Sequence, residues 1–111
     1  MNKKKLTIKE TFALAFQNHQ KNNFEIAEKL YKEILEIDNN HFHSIFLLGL
    51  LSAQTKNFDK SKKLLNQAIK INPNYPDAHN NLGNVLRELR EFQKAIVCYE
   101  KAIAIKPADS R

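Results

Sequence analysis

The sequence predicts an all-α fold made of three stacked helix-turn-helix hairpins. Three observations carry that prediction: only two glycines and three prolines in 111 residues, apolar residues at helical spacing, and a pattern that recurs every 34 residues. Gly49 and Gly83 stand one such step apart, and the same step links Leu14, Leu48 and Leu82, then Phe24, Phe58 and Phe92, then Ile37, Ile71 and Ile105. Ala27, Ser61 and Ala95 form a column of small residues, and Pro73 matches Pro107 with Asn39 in the first copy. The three copies run over 8–41, 42–75 and 76–109, after a basic tail at 1–7 and before a truncated end at 110–111.

Each copy divides into two helical blocks. Thr7 and Glu10 have the spacing of a capping box, so the first helix starts just after Thr7. The polar breaks "KNN", "KNF" and "REF" separate the two helices of each copy, with Asn23 and Asn57 as N-cap candidates for the second helices of copies one and two. Pro73 and Pro107 cannot continue a helix and mark the ends of the second helices of copies two and three. In copy three the first stripe is His79, Leu82, Gly83 and Leu86, and the second is Phe92, Ala95, Ile96, Tyr99, Ala102 and Ile103. Gly83 lies in a helix interior, where glycine costs roughly 1 kcal/mol relative to alanine. The column Ala15, Gly49 and Gly83 is therefore read as a close approach of two helices, with Ala27, Ser61 and Ala95 as the small partners opposite.

Composition narrows the function classes. The single cysteine, Cys98, excludes an internal disulfide and is expected to pack as a small apolar side chain; a reducing, cytoplasmic setting follows as the expectation. No apolar run approaches the roughly 20 residues of a membrane span, and the N-terminus lacks the hydrophobic stretch of a secretory signal, so no membrane association is expected. The net charge of +6 comes largely from Lys3, Lys4 and Lys5 and from "DKSKK" at 59–63, with no aromatic interleaved to stack a base. A nucleic-acid partner is accordingly disfavoured, and RNA binding through the lysines of copy two would require steeply salt-dependent affinity.

No catalytic, metal or cofactor site is expected. His19, His41, His43 and His79 lack the i, i+4 pairing of a helical metal site; the first three are expected at the surface and His79 in the core. Carboxylate pairs such as Glu33 and Glu36 sit among lysines on helix surfaces, no glycine loop exists to cradle a phosphate, and no nucleophile, base and orienter converge. The segment is not expected to be an enzyme.

The pattern resembles the tetratricopeptide repeat (TPR), whose 34-residue unit carries Leu-Gly, Ala, an aromatic and Pro at set offsets. Copy three matches with Leu82-Gly83, Ala95, Tyr99, Ala102 and Pro107; copy two keeps Leu48-Gly49, Ala68 and Pro73; copy one keeps Leu14, Ala27 and Tyr31. Departures are His79 for the usual Trp and Leu86 for the usual Tyr. The resemblance implies a right-handed superhelical solenoid whose first helices line a concave groove that holds a peptide or helix of a partner protein.

The groove face reads as Asn80, Asn84 and Arg87 beside Asn81 and Glu88 in copy three, Phe46, Leu50 and Ala53 beside Leu47 and Gln54 in copy two, and Phe12, Phe16 and His19 beside Ala13 and Gln20 in copy one. Apolar residues toward the N-terminal repeats ask for apolar anchors in the ligand, and side-chain amides pair with a peptide backbone. Packing within the repeats is the competing reading of the Phe and Leu positions. Family members that bind acidic chaperone C-termini use Lys and Asn on these faces; here Phe12, Phe16, Leu47, Asp77 and Asn81 occupy the places, which argues against a carboxylate clamp. Asn81 instead is similar to the groove asparagines of the arrays preceding O-GlcNAc transferases. Ile96, Val97 and Ala104 replace charged residues of the earlier copies, so the last helix is expected to leave apolar surface uncovered, as in a fragment of a longer array or a self-associating chain. A noncatalytic protein-binding scaffold is the leading expectation; the substrate-recruiting part of a larger glycosyltransferase or sulfotransferase is the alternative.

Overall fold

In the computed structural model, which describes residues 5–105, those residues form six helices and no strand. They are α1 (Ile8–Gln20), α2 (Phe24–Ile37), α3 (Phe42–Gln54), α4 (Phe58–Ile71), α5 (Pro76–Glu88) and α6 (Phe92–Ile105). The expected features at Lys3, Lys4 and Pro107 lie outside the described residues. Consecutive helices pair as α1 with α2, α3 with α4 and α5 with α6, and the hairpins join through α2 on α3 and α4 on α5. The result measures 55 × 27 × 24 Å, an extended stack in which each hairpin touches only its neighbours.

The three hairpins close in the same way. Asn22, Lys56 and Arg90 each adopt left-handed backbone, with φ of 64°, 65° and 66°. In each turn the next amide reaches back five residues, Asn23 to Asn18 O, Asn57 to Ser52 O and Glu91 to Leu86 O, at 2.7–2.8 Å. This Schellman arrangement satisfies the carbonyls at the end of the first helix and reverses the chain in three residues. It also corrects the reading of Asn23 and Asn57. Both hold the N-cap position, but neither side chain caps its helix, and Asn23 Nδ2 donates instead to Asn18 Oδ1 at 3.1 Å. Thr7 does cap α1: Thr7 Oγ1 accepts from the Glu10 amide at 3.0 Å while Glu10 Oε1 accepts from the Thr7 amide at 2.9 Å.

The core is two linked clusters. Ala15, Ala27, Tyr31, Leu48 and Leu51 join the first hairpin to α3, and Ile45, Phe46, Leu65, Ala68, Ala78, Leu82, Val85, Leu86 and Ala95 join the second to the third. α3 belongs to both, which explains why "FHSIFLLGLLSAQ" is apolar on nearly every side. The glycine column does mark helix approach, with a different partner from the one expected. A Cβ on Gly83 would stand 2.7 Å from Tyr99 Cε1, and one on Gly49 would stand 3.2 Å from Leu65 Cγ. The close neighbours are thus Tyr99 and Leu65, one turn beyond Ala95 and Ser61, while Ser61 Oγ donates to the Gly49 carbonyl at 2.7 Å.

Ion pairs tie successive hairpins together at the surface. Lys60 Nζ lies 2.6 Å from Glu28 Oε2, and Lys62 Nζ lies 3.1 Å from Glu91 Oε2. The Lys60 ammonium beside Glu28 and the Lys62 ammonium beside Glu91 hold both carboxyls below the ordinary carboxylate range. Pairs this exposed add little to stability and act mainly on how one repeat seats against the next. Position 96, which is Glu28 in the first repeat and Lys62 in the second, holds Ile96, 48% exposed; Phe92, Val97 and Ile103 are exposed on the same helix.

Candidate functional site

The first helices, α1, α3 and α5, line one side of the stack, and their helical repeat decides which residues reach it. On α3 the residues between the α2 contact and the α5 contact are Leu47, Leu50 and Gln54; on α5 the counterparts are Asn81, Asn84 and Glu88. Where α3 and α5 run past each other, Leu50, Gln54, Asn81 and Asn84 converge on a hollow of about 190 Å³. Ala53, Phe58, Leu65, Val85 and Glu88 complete it. Four of the eleven residues expected at the groove therefore share one site, with an apolar floor and a rim of three amides and a carboxylate.

The other seven are distributed differently. Phe46 is 6% exposed and packs edge-on to Tyr75 with ring centroids 5.2 Å apart, so it is core between the second and third hairpins. Phe12 is half-buried, stacked on Phe16 at 6.3 Å and tilted against Tyr31 and His41. Phe16 is 39% exposed, and Leu47 is partly buried between the two core clusters. Asn80 lines a separate hollow with Pro76, Asp77, Tyr99, Ala102 and Ile103, while Arg87 is exposed. The physical reason is a rotation of about one position: Phe12, against His41 and His43, and Phe46, against Tyr75, face the following repeat.

His19 corrects the expectation of a surface histidine. It is 7% exposed, with Nδ1 2.9 Å from the Tyr31 hydroxyl and Nε2 2.6 Å from Gln54 Oε1. It thereby bridges α1, α2 and α3. Tyr31 is fully buried, and burial raises its phenol pKa, so the hydroxyl keeps its proton. Asn84 is likewise engaged, its Oδ1 accepting from the Tyr99 hydroxyl at 2.6 Å. His79 is core as expected, 5% exposed and bonded through Nε2 to the Pro73 carbonyl at 2.7 Å. His41 caps α3, accepting the Ser44 amide at 3.3 Å.

Sequence reasoning missed Phe58 and Leu65 because they belong to the second helix of their repeat and supply the floor from beneath. A signal was present: position 99 is Tyr where position 65 is Leu, and position 84 is Asn where position 50 is Leu. The two positions differ together between the second and third repeats, whereas the first pairs Tyr31 with Phe16.

A larger hollow of about 380 Å³ opens on the opposite side, over α5 between α4 and α6, with Lys62, Lys94, Lys101 and Cys98 at its edge. Lys62 and Lys94 are both engaged there by Glu91. Cys98 is partly buried, and burial raises its thiol pKa against the opposing influence of Lys101, the opposite of an activated thiolate. Among the described residues no cluster of three metal-ligating side chains occurs, and no helix is long and apolar enough to cross a membrane.

An elongated stack of helical hairpins with a lined inner face defines a helical-repeat scaffold. Family models match in two places: the tetratricopeptide repeat over residues 76–109 and the TPR repeat over residues 49–89. The chain belongs to the tetratricopeptide-repeat family. No curated protein matches it in sequence. Among solved structures it is similar to MamA, with 27% identity and a TM-score of 0.87 over 91% of this chain and 59% of MamA. It is also similar to the O-GlcNAc transferase of Thermobaculum terrenum, solved as a mutant, at 25% identity and a TM-score of 0.87, covering 92% of this chain and 20% of that one. The first TPR of Spaghetti (RPAP3), solved bound to the HSP90 peptide SRMEEVD, shares the fold at a TM-score of 0.87 and 16% identity, covering 93% of this chain and 82% of that one. This chain thus spans about three fifths of MamA and a fifth of the transferase.

Proposed function

We propose that the chain is a noncatalytic binding module that takes an extended segment of a partner protein in the hollow between α3 and α5. One observation carries the reading: Leu50, Gln54, Asn81 and Asn84, from two different repeats, converge on a single hollow with an apolar floor and a hydrogen-bonding rim. An apolar side chain of the ligand seats on Leu50, Phe58 and Val85, and the rim amides pair with the backbone on either side of it. Glu88 in this rim and Asp77 nearby on the exposed start of α5 disfavour an acidic ligand, so the peptide held by RPAP3 is not the chemistry inferred here.

Leu50 separates binding from folding, because it is half-exposed, whereas Phe46 is core. With the tightest dodecapeptide selected on the wild-type protein from a random phage-displayed library as probe, Leu50→Ser weakens Kd by about tenfold or more while the melting temperature holds within a few degrees. Unchanged affinity would reject this hollow as the site.

The similarity to a region of an O-GlcNAc transferase favours a second reading, in which the module presents substrates to a transferase domain of the same polypeptide. The full reading frame decides it: a catalytic domain following the repeats supports the transferase reading, and its absence leaves the free-standing scaffold.

A further inference from the structure

We propose that Gln54 and Asn84 are a pair of hydrogen-bond donors with fixed orientation, which select an extended peptide by carbonyl oxygens flanking its apolar residue. The inference rests on the groove reading above and adds a polarity to it. The orientation of Gln54 follows from what lies behind it. An amide oxygen only accepts, so the 2.6 Å contact to Gln54 Oε1 requires the proton on His19 Nε2. With its proton on Nε2, the His19 ring accepts at Nδ1, and the Tyr31 hydroxyl, 2.9 Å away, donates to it. The opposite flip of the Gln54 amide would put the imidazole proton on Nδ1, facing Tyr31, and leave a fully buried phenol proton without its acceptor. The direction is therefore set from the core outward, Tyr31 to His19 to Gln54, and the group left for the groove is the Gln54 NH2.

Across the hollow Asn84 is held by a different side chain. Tyr99 donates to Asn84 Oδ1 at 2.6 Å, so the free end of Asn84 is again its NH2. Tyr99 is itself fixed by its close approach to Gly83, where no Cβ intervenes. Both donors are anchored before any ligand arrives, which lowers the ordering cost of binding. A segment that offers carbonyl oxygens there satisfies them; one that turns N–H groups toward them loses both bonds.

Gln54→Glu and Asn84→Asp test this, because each keeps the oxygen that His19 or Tyr99 bonds and replaces only the outward NH2 with an acceptor. With the same selected dodecapeptide, each weakens Kd by roughly 10- to 100-fold with the melting temperature held. Asn80→Asp adds the same charge one turn from Asn84 but in another hollow, and leaves Kd within about twofold. If the Gln54 and Asn84 variants bind like wild type while Leu50→Ser loses binding, the groove stands and the donor pair is wrong. If Asn80→Asp weakens binding as much as they do, added charge is the cause and the donor pair is again wrong. If Leu50→Ser also binds like wild type, the groove reading falls and the donor pair with it.

Discussion

Gly83 is the point where the absence of one carbon atom links the core to the groove. It lets the Tyr99 ring lie against α5, and the Tyr99 hydroxyl in turn holds Asn84. Gly83→Leu is therefore expected to cost about 1–3 kcal/mol, read as a lower midpoint in urea denaturation, and to loosen Asn84 with it. An unchanged midpoint would contradict the close approach. The 34-residue step was enough to locate this glycine on the contact face, but not to say which side chain fills the space. Spacing fixes the face of a helix; the reach of a tyrosine beyond the neighbouring alanine is a property of side-chain length. His19 was illegible for a related reason. Its two bonding partners lie on two other helices, and a lone histidine in a polar stretch carries no pattern that separates a buried bridge from a solvated ring.

At the scale of elements, the hairpins were legible from their breaks and their caps were not. The positions 22, 56 and 90 all take left-handed backbone, yet only Asn22 is a residue that tolerates it well. Lys56 occupies it in the second hairpin. Lys56→Gly is expected to stabilise the protein by about 0.5–1 kcal/mol, seen as a raised melting temperature, because glycine removes the steric penalty of positive φ. A lowered melting temperature would mean that the Lys56 side chain makes a contribution its exposure does not suggest. Asn23 and Asn57 read as caps from composition alone. In the folded chain each is also the residue whose amide closes the preceding helix, and that role sets its backbone and turns its side chain away from the helix it starts.

For the whole molecule, repetition explains both the shape and the site. Each interface between hairpins is a variation of one arrangement, so the surface that α5 covers on α4 has its counterpart on α6, where Phe92, Ile96 and Ile103 are exposed. The fold was almost wholly legible because a 34-residue period determines which faces must meet. The site was legible to about one turn of helix, since the period does not separate the flank that contacts the next repeat from the flank that faces the groove. Leu50, Gln54, Asn81 and Asn84 line the hollow on the second, and Phe46 lies on the first. The most direct test of the central claim is backbone amide chemical-shift mapping of the protein titrated with the selected dodecapeptide. Shifts concentrated at Leu50, Gln54, Asn81, Asn84 and Glu88 are the result expected. Shifts concentrated on the opposite side, around Asn66, Val97 and Lys101, would contradict it.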